Sequence, residues 1–198
     1  MKRIGLFGGT FDPPHLGHML IAQEVLYELE MDEIWFVPVH VPPHKQRQSL
    51  TSGSDRIGML HVATKDEPRF KVSTIEIDRD GKSYTVDTVK LLKEKYPEHR
   101  FFFLIGGDMI DYLPKWERID ELMTLVTFIG AKRPGAISKS EYSKWIEYVD
   151  VVQVDFSSTM IRERVRQGQP IRFMVPREVE AYIKERGLYG EERSVRNC

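Results

Sequence analysis

The sequence predicts an α/β fold: a doubly wound parallel sheet with a small helical part at the C-terminal end. Three observations carry this. Apolar runs alternate with segments of helical spacing along most of the chain. The run Phe101 to Ile105 is apolar at every position, as a strand covered on both faces should be. Beyond about residue 157 the strand-like runs stop and two helical segments follow.

The elements read off in order. Arg3 to Phe7 is the first strand, and a helix then runs to about Glu30 with Met19, Ala22, Leu26 and Leu29 on one face. Ile34 to Val37 is a second strand, closed by Pro38, and Val39 to Ser54 is a polar loop containing prolines. A helix is expected over Asp55 to Thr64. Phe70 to Ile77 alternates and is rich in β-branched residues, which predicts a strand. Val86, Val89, Leu92 and Tyr96 give helical spacing to Thr85 to Tyr96. Further strands are expected at Phe101 to Ile105, at Leu125 to Gly130 and, more weakly, at Val149 to Val154. Ser158 to Gln167 and Pro176 to Arg186 are the last helices, Pro176 suiting a first helical turn. Residues 1–190 are expected to form a single domain, its helical part at about 157–190, and the polar residues 191–198 a flexible tail.

Composition narrows the function classes. The chain has 198 residues, 41% apolar and 30% charged, as an ordinary soluble globular protein has. A net charge of −1 offers no broad field to a nucleic-acid polymer or an anionic membrane, so neither is an expected partner. Local positive charge for a small phosphorylated ligand can come from Lys45, Arg133 and Arg162. Cys198 is the only cysteine, which excludes an internal disulfide and a cysteine zinc site and fits a reducing, cytoplasmic setting. No leading apolar core reads as a secretory signal, and no run approaches the roughly 18 apolar residues of a membrane span.

The richest stretch is Gly8 to His18, Gly-Gly-Thr-Phe-Asp-Pro-Pro-His-Leu-Gly-His, between the first strand and the first helix. A glycine pair lets backbone approach a phosphate closely, and a following helix can aim amides at it. His15 and His18 share one side of the first helical turn. Taken singly, the glycines are also an ordinary turn, and the histidines also a helix start or half of a metal site. The string lacks the Gly-Lys-Ser/Thr of a Walker loop and the Gly-x-Gly-x-x-Gly of a dinucleotide site. Its His-x-Gly-His element closely resembles the start of the nucleotidylyltransferase superfamily. The resemblance implies a Rossmann-like sheet and transfer of a nucleoside monophosphate from a triphosphate to a phosphate-bearing acceptor. It puts Gly8, Gly9, Thr10 and Phe11 at the ATP phosphates and His15 and His18 at phosphate oxygens.

A second string, Phe156-Ser157-Ser158-Thr159-Met160-Ile161-Arg162, combines a serine cap at either Ser157 or Ser158 with an arginine one turn on. By itself it is a helix start with a solvated arginine. Beside the first string it resembles the Ser-Ser-Thr-x-x-Arg element of adenylyltransferases, which implies that Ser157, Ser158, Thr159 and Arg162 meet the β- and γ-phosphates. Pro42-Pro43-His44-Lys45 follows the second strand, and the resemblance makes Lys45 a phosphate contact rather than a solvated loop lysine. His40 and His44 with His15 and His18 raise the alternative of zinc. Phosphate chemistry already accounts for the first pair, so no metal site is assigned. Thr85 and Asp87 are candidate caps for the third helix. Gly106-Gly107-Asp108 precedes Tyr112 and Trp116, and Trp116 is either core or a platform for a flat cationic ring. Trp35 and Trp145 are expected to be packing residues.

Together with Lys132-Arg133-Pro134 and the order of the strings, these residues resemble bacterial nicotinate-mononucleotide adenylyltransferases over most of the chain. The resemblance implies ATP and nicotinate mononucleotide as substrates, with Mg2+ accompanying ATP. It implies phosphate contacts from Gly106 and Arg133, and acceptor contacts from Thr85, Asp108, Tyr112 and Trp116. His15, His18, Lys45 and Arg162 would form the catalytic group. Each string follows an expected strand, so one sheet edge should gather them. The alternatives are an adenylyltransferase using nicotinamide mononucleotide or phosphopantetheine, and a non-catalytic nucleotide-binding module. Apolar residues near the C-terminal end leave room for a homodimer.

Overall fold

Side chains alternate across a strand, so a strand that is apolar throughout must be covered on both faces. Arg100–Gly106 does this: Phe101, Phe103 and Ile105 join one buried cluster, Phe102 and Leu104 another. The computed structural model describes residues 1–40, 50–79, 84–132, 140–152 and 154–190. Among these, β1 (Arg3–Gly9), β2 (Glu33–Pro38), β3 (Phe70–Val72), β4 (Arg100–Gly106), β5 (Thr127–Lys132) and β6 (Ile146–Asp150) form one sheet. The strand order is β3-β2-β1-β4-β5-β6 and every pairing is parallel. This is the doubly wound, Rossmann-like order, with its crevice where the winding reverses between β1 and β4.

Helices α1 (Leu16–Glu28), α2 (Gly53–Thr64), α3 (Thr85–Lys95), α4 (Ile119–Leu125), α5 (Ser158–Arg166) and α6 (Arg177–Arg186) surround it. Val86, Val89 and Leu92 of α3 and Ile119 and Leu122 of α4 cover one face. Ala22, Val25 and Leu26 of α1 cover the other. The last helices dock differently. Met59 of α2 packs in one cluster with Ile161 of α5 and Val179 and Ile183 of α6. The C-terminal helical part therefore leans on α2, beside the end of the sheet that carries the first string.

Several expected boundaries move. The strand expected over Phe70 to Ile77 keeps only Phe70–Val72. Ser73 N–H still reaches Phe36 O at 2.9 Å, and then Asp78 N–H bonds Thr74 O at 2.9 Å, turning the chain out of the sheet. The strand expected from Leu125 starts at Thr127, because Leu125 finishes α4, a helix missing from the periodicity reading. The weak strand is Ile146–Asp150 rather than Val149 to Val154. Helix α2 starts at Gly53, capped by Ser52, whose Oγ accepts from Asp55 N–H at 3.1 Å. Trp35 packs as expected, edge-on to Tyr96 and Phe101. Trp145 does not: it is 64% exposed. No helix among the described residues is long and apolar enough to cross a membrane. The tail 191–198 lies outside them.

Adjacent leucines test the layer assignment. Leu92 is 1% exposed and Leu91 39%. Leu92→Ala is expected to cost about 2–5 kcal/mol in urea unfolding, and Leu91→Ala less than about 1 kcal/mol. Equal losses would refute the placement of α3 on the sheet.

Candidate active site

Two aromatic rings press on the end of β1 and explain its glycines. A Cβ on Gly8 would sit 3.1 Å from Phe103 Cζ, and one on Gly9 2.9 Å from Phe11 Cζ. Phe11 itself adopts φ 48°, a left-handed conformation that non-glycine residues rarely take. Its ring is 1% exposed and meets Phe7, Phe36 and His18 edge-on. Phe11, expected at the phosphates, thus has its side chain in the core, and only its backbone is left to meet a ligand.

The chain then delivers two imidazoles. His15 is the extended N-cap residue of α1, and its ring stacks on that of His18 with centroids 3.7 Å apart. Gly17 is required between them, because a Cβ there would lie 3.0 Å from His15 Nδ1 and 3.2 Å from Val154 Cγ2. His15 N–H donates to His18 Nδ1 at 3.1 Å. That nitrogen is therefore an acceptor, and in the neutral ring the proton sits on Nε2. Burial lowers the His15 pKa to about 4. Burial, and secondarily the neighbouring His15, hold His18 well below the usual histidine range. Both rings are neutral at pH 7, so they supply directed hydrogen bonds rather than charge. His15 Nδ1 is buried with no hydrogen-bond partner among the described residues.

The second string closes on the first. Of the two serines, Ser157 caps α5, accepting from Met160 N–H at 3.2 Å. Ser158 Oγ donates to Pro13 O at 2.8 Å. Arg162 Nη1 donates to Asp12 O at 2.7 Å, and its Nη2 to Thr159 Oγ1 at 3.3 Å. Leu16 N–H donates to Met174 O at 2.9 Å. This corrects the simple expectation that the start of α1 offers its amides to phosphate: the first of them is taken by the C-terminal part.

Sequence reasoning passed over three residues here. Asp12 is fully buried, and its carboxylate accepts from Tyr189 Oη at 2.6 Å and from Thr51 N–H at 3.2 Å. Arg56, on α2, is 2% exposed. Its Nη1 donates to Thr10 O at 3.1 Å and Val39 O at 2.7 Å, and its Nε to Thr51 O at 3.1 Å. A signal existed: Arg56, Met59 and Leu60 fall on one face of α2.

On the other flank of β1, the sites expected for the acceptor are partly assembled. Trp116 is half-buried and edge-on to Phe103, centroids 5.7 Å apart. Phe103 also abuts Gly8, so Trp116 stands one ring away from the first string. Thr85 is the first residue of α3, but neither it nor Asp87 caps the helix: Tyr84 occupies the cap position without a side-chain bond, and Asp87 pairs with Arg118. Gly106 ends β4 at the same sheet edge as Gly8 and Gly9. Tyr112 stands apart, exposed, with Lys115 Nζ 5.2 Å from its ring centre. Lys45, Arg133 and the Asp108 side chain lie outside the described residues. Among those described, no three His, Cys, Asp or Glu side chains converge as a metal site would require.

The chain is similar to known proteins. The cytidylyltransferase-like family profile matches residues 6–164. A protein of Shouchella clausii, named "Probable nicotinate-nucleotide adenylyltransferase", is 58% identical over 191 residues, covering 96% of this chain and 98% of its own. The "Nicotinate-nucleotide adenylyltransferase" of Bacillus subtilis is 51% identical over 189 residues, 96% of this chain and 99% of its own. Among solved structures, the Plasmodium falciparum nicotinic acid mononucleotide adenylyltransferase complexed with NaAD shares the fold, with TM-score 0.81 and 22% identity. That match covers 96% of this chain and 98% of the other.

Buried neutral histidines make stability depend on acid. His15 titrates near 4 when folded and near 6.5 in the unfolded chain, which therefore binds the extra proton between these values. The contribution is complete above about pH 6.5 and falls as the pH drops towards 4. Between pH 7.5 and 5 the loss from His15 is roughly 2 kcal/mol, read by urea unfolding, and His15→Gln should flatten the slope. A variant as acid-sensitive as the parent would contradict the assignment.

Proposed function

The chain belongs to the nicotinate-nucleotide adenylyltransferases of the cytidylyltransferase-like family, and from this we propose that it transfers the adenylyl group of ATP to nicotinate mononucleotide. The products are nicotinate adenine dinucleotide and pyrophosphate. The acceptor's phosphate oxygen attacks the α-phosphorus in line, and the bond to the bridging oxygen breaks, its electron pair leaving with pyrophosphate. The nucleophile is already an anion, so no strong base and no covalent enzyme intermediate are needed. Catalysis then consists of alignment and stabilisation of charge on phosphoryl oxygens.

One observation carries the reading: the stacked neutral histidines beside the glycine bend, with the His18 proton on Nε2. In our assignment the backbone amides of Gly8, Gly9, Thr10 and Phe11 approach the phosphates. His18 donates to the α-phosphoryl group with His15 beside it. Ser158 and Arg162 are already tied to the carbonyls of Pro13 and Asp12, and the remaining guanidinium donors of Arg162 serve the departing pyrophosphate, with Ser157 and Thr159 at the same helix start. Lys45, Gly106 and Arg133 complete the nucleotide side by family likeness. On the acceptor side, Thr85 meets the pyridine carboxyl, Trp116 stacks on the ring, and Asp108 and Tyr112 flank it. Mg2+ enters as the companion of ATP, held by phosphate oxygens and water. No protein ligand is assigned to the ion, and the Asp12 carboxylate accepts from Tyr189 and Thr51. We take residues 1–190 as one domain working in the cytoplasm, and exposed Met160 and Phe173 are compatible with a homodimer.

A substrate matrix tests the reaction. ATP, CTP and GTP are paired with nicotinate mononucleotide, nicotinamide mononucleotide and phosphopantetheine, and pyrophosphate release is measured. The ATP and nicotinate mononucleotide pair should be fastest. Release with no pair would leave a nucleotide-binding module, and a preference for another acceptor would reassign the substrate. For His18→Ala, kcat at saturating substrates should fall on the order of 10²–10³-fold. A near-normal rate would remove His18 from the chemistry.

A further inference from the structure

A peptide unit has two polar ends that point in opposite directions, so fixing a carbonyl also aims the next N–H. The Thr10 carbonyl shares its peptide plane with the Phe11 N–H. Arg56 takes that carbonyl inward at 3.1 Å, onto a guanidinium that is 2% exposed. The Phe11 N–H is thereby turned away from the buried guanidinium, at the one loop residue whose left-handed φ of 48° already reverses the chain. The same guanidinium collects the carbonyls of Val39 and Thr51, which bracket residues 40–50. Thr51 is held on both sides, its carbonyl by Arg56 and its N–H by Asp12. Asp12 is itself held by the hydroxyl of Tyr189.

We propose that Arg56, Asp12 and Tyr189 are positioning residues for adenylyl transfer, acting as one buried cluster that aims the backbone of the loop after β1 at the phosphates. The cluster acts through main-chain carbonyls, not on substrate. Arginine suits this because a planar fork with several donors can serve carbonyls in different directions at once, whereas an ammonium cannot reproduce that geometry. Asp12 and Arg56 meet at Thr51, the one on its N–H and the other on its carbonyl, and Tyr189 fixes the Asp12 carboxylate from the far end of the described chain.

The proposal rests on the reaction assigned above, and wild-type turnover of ATP with nicotinate mononucleotide is the control that separates the two. Arg56→Lys, Asp12→Asn and Tyr189→Phe are compared for kcat and for the KM of each substrate, at a temperature where each is folded by circular dichroism. Competent sites are counted by calorimetric titration with an unreactive ATP analogue, so that kcat is expressed per binding site. A purely structural loss lowers the number of sites and leaves turnover per site unchanged. The expected result for Arg56→Lys is a fall in per-site kcat of about 10-fold or more with KM values within about threefold of the parent. For Tyr189→Phe, which deletes one hydroxyl, the fall should be about threefold or more. If Arg56→Lys and Asp12→Asn do not fold, Tyr189→Phe decides. Parental per-site kcat in the folded variants, or a change confined to KM, overturns the proposal. An inactive wild type overturns the reaction assignment instead.

Discussion

A charged guanidinium taken almost entirely out of water constrains everything around the first loop. Burying such a group is costly unless its charge and its donors are matched. Arg56 offsets part of that cost with three main-chain carbonyls and the charge of Asp12, although burial still holds it below the usual arginine range. With those bonds made, the ends of β1 and β2 and the segment leading into α2 have little freedom to separate. From the opposite side the loop is gripped by Ser158, Arg162 and the Met174 carbonyl. The glycine bend and the histidine pair are therefore held between two sets of hydrogen bonds, one from α2 and one from the C-terminal helices.

This arrangement determines the electrostatics of the site. Two stacked imidazoles cannot both be protonated without strong repulsion, and their burial removes the incentive for either. The pair works through hydrogen-bond direction. Two guanidiniums touch the loop: Arg56 is buried on the Thr10 carbonyl, and Arg162, anchored by its bond to Asp12 O, is only partly buried. A directional donor and a charged group are thereby kept on separate elements, the one on α1 and the other on α5.

Much of this was legible before the structure. The uninterrupted apolar run at Phe101 to Ile105 required a strand between two layers, and the position of the strings after strands placed them towards one sheet edge. The Gly8 to His18 string could be singled out because its spacing is set by local contacts, such as Gly17 against the His15 ring. What stayed hidden depends on distant contacts. Short helix α4 and the early end of β3 follow from packing and from the Thr74 to Asp78 turn, which no periodicity announces. Trp145 reads as core by residue type and is exposed by topology. Arg56, Asp12 and Tyr189 reveal their roles only when three remote parts of the chain meet.

The contacts from Met174 and Tyr189 also impose a chronology on biosynthesis. The histidine-bearing loop leaves the ribosome well before some of its partners, because bonds that hold it come from residues translated more than 150 positions later. A nascent polypeptide can build β1 and α1 first, but its loop lacks these contacts until Met174 and Tyr189 have been made. Partially translated products would thus carry the signature string without the framework that makes it useful.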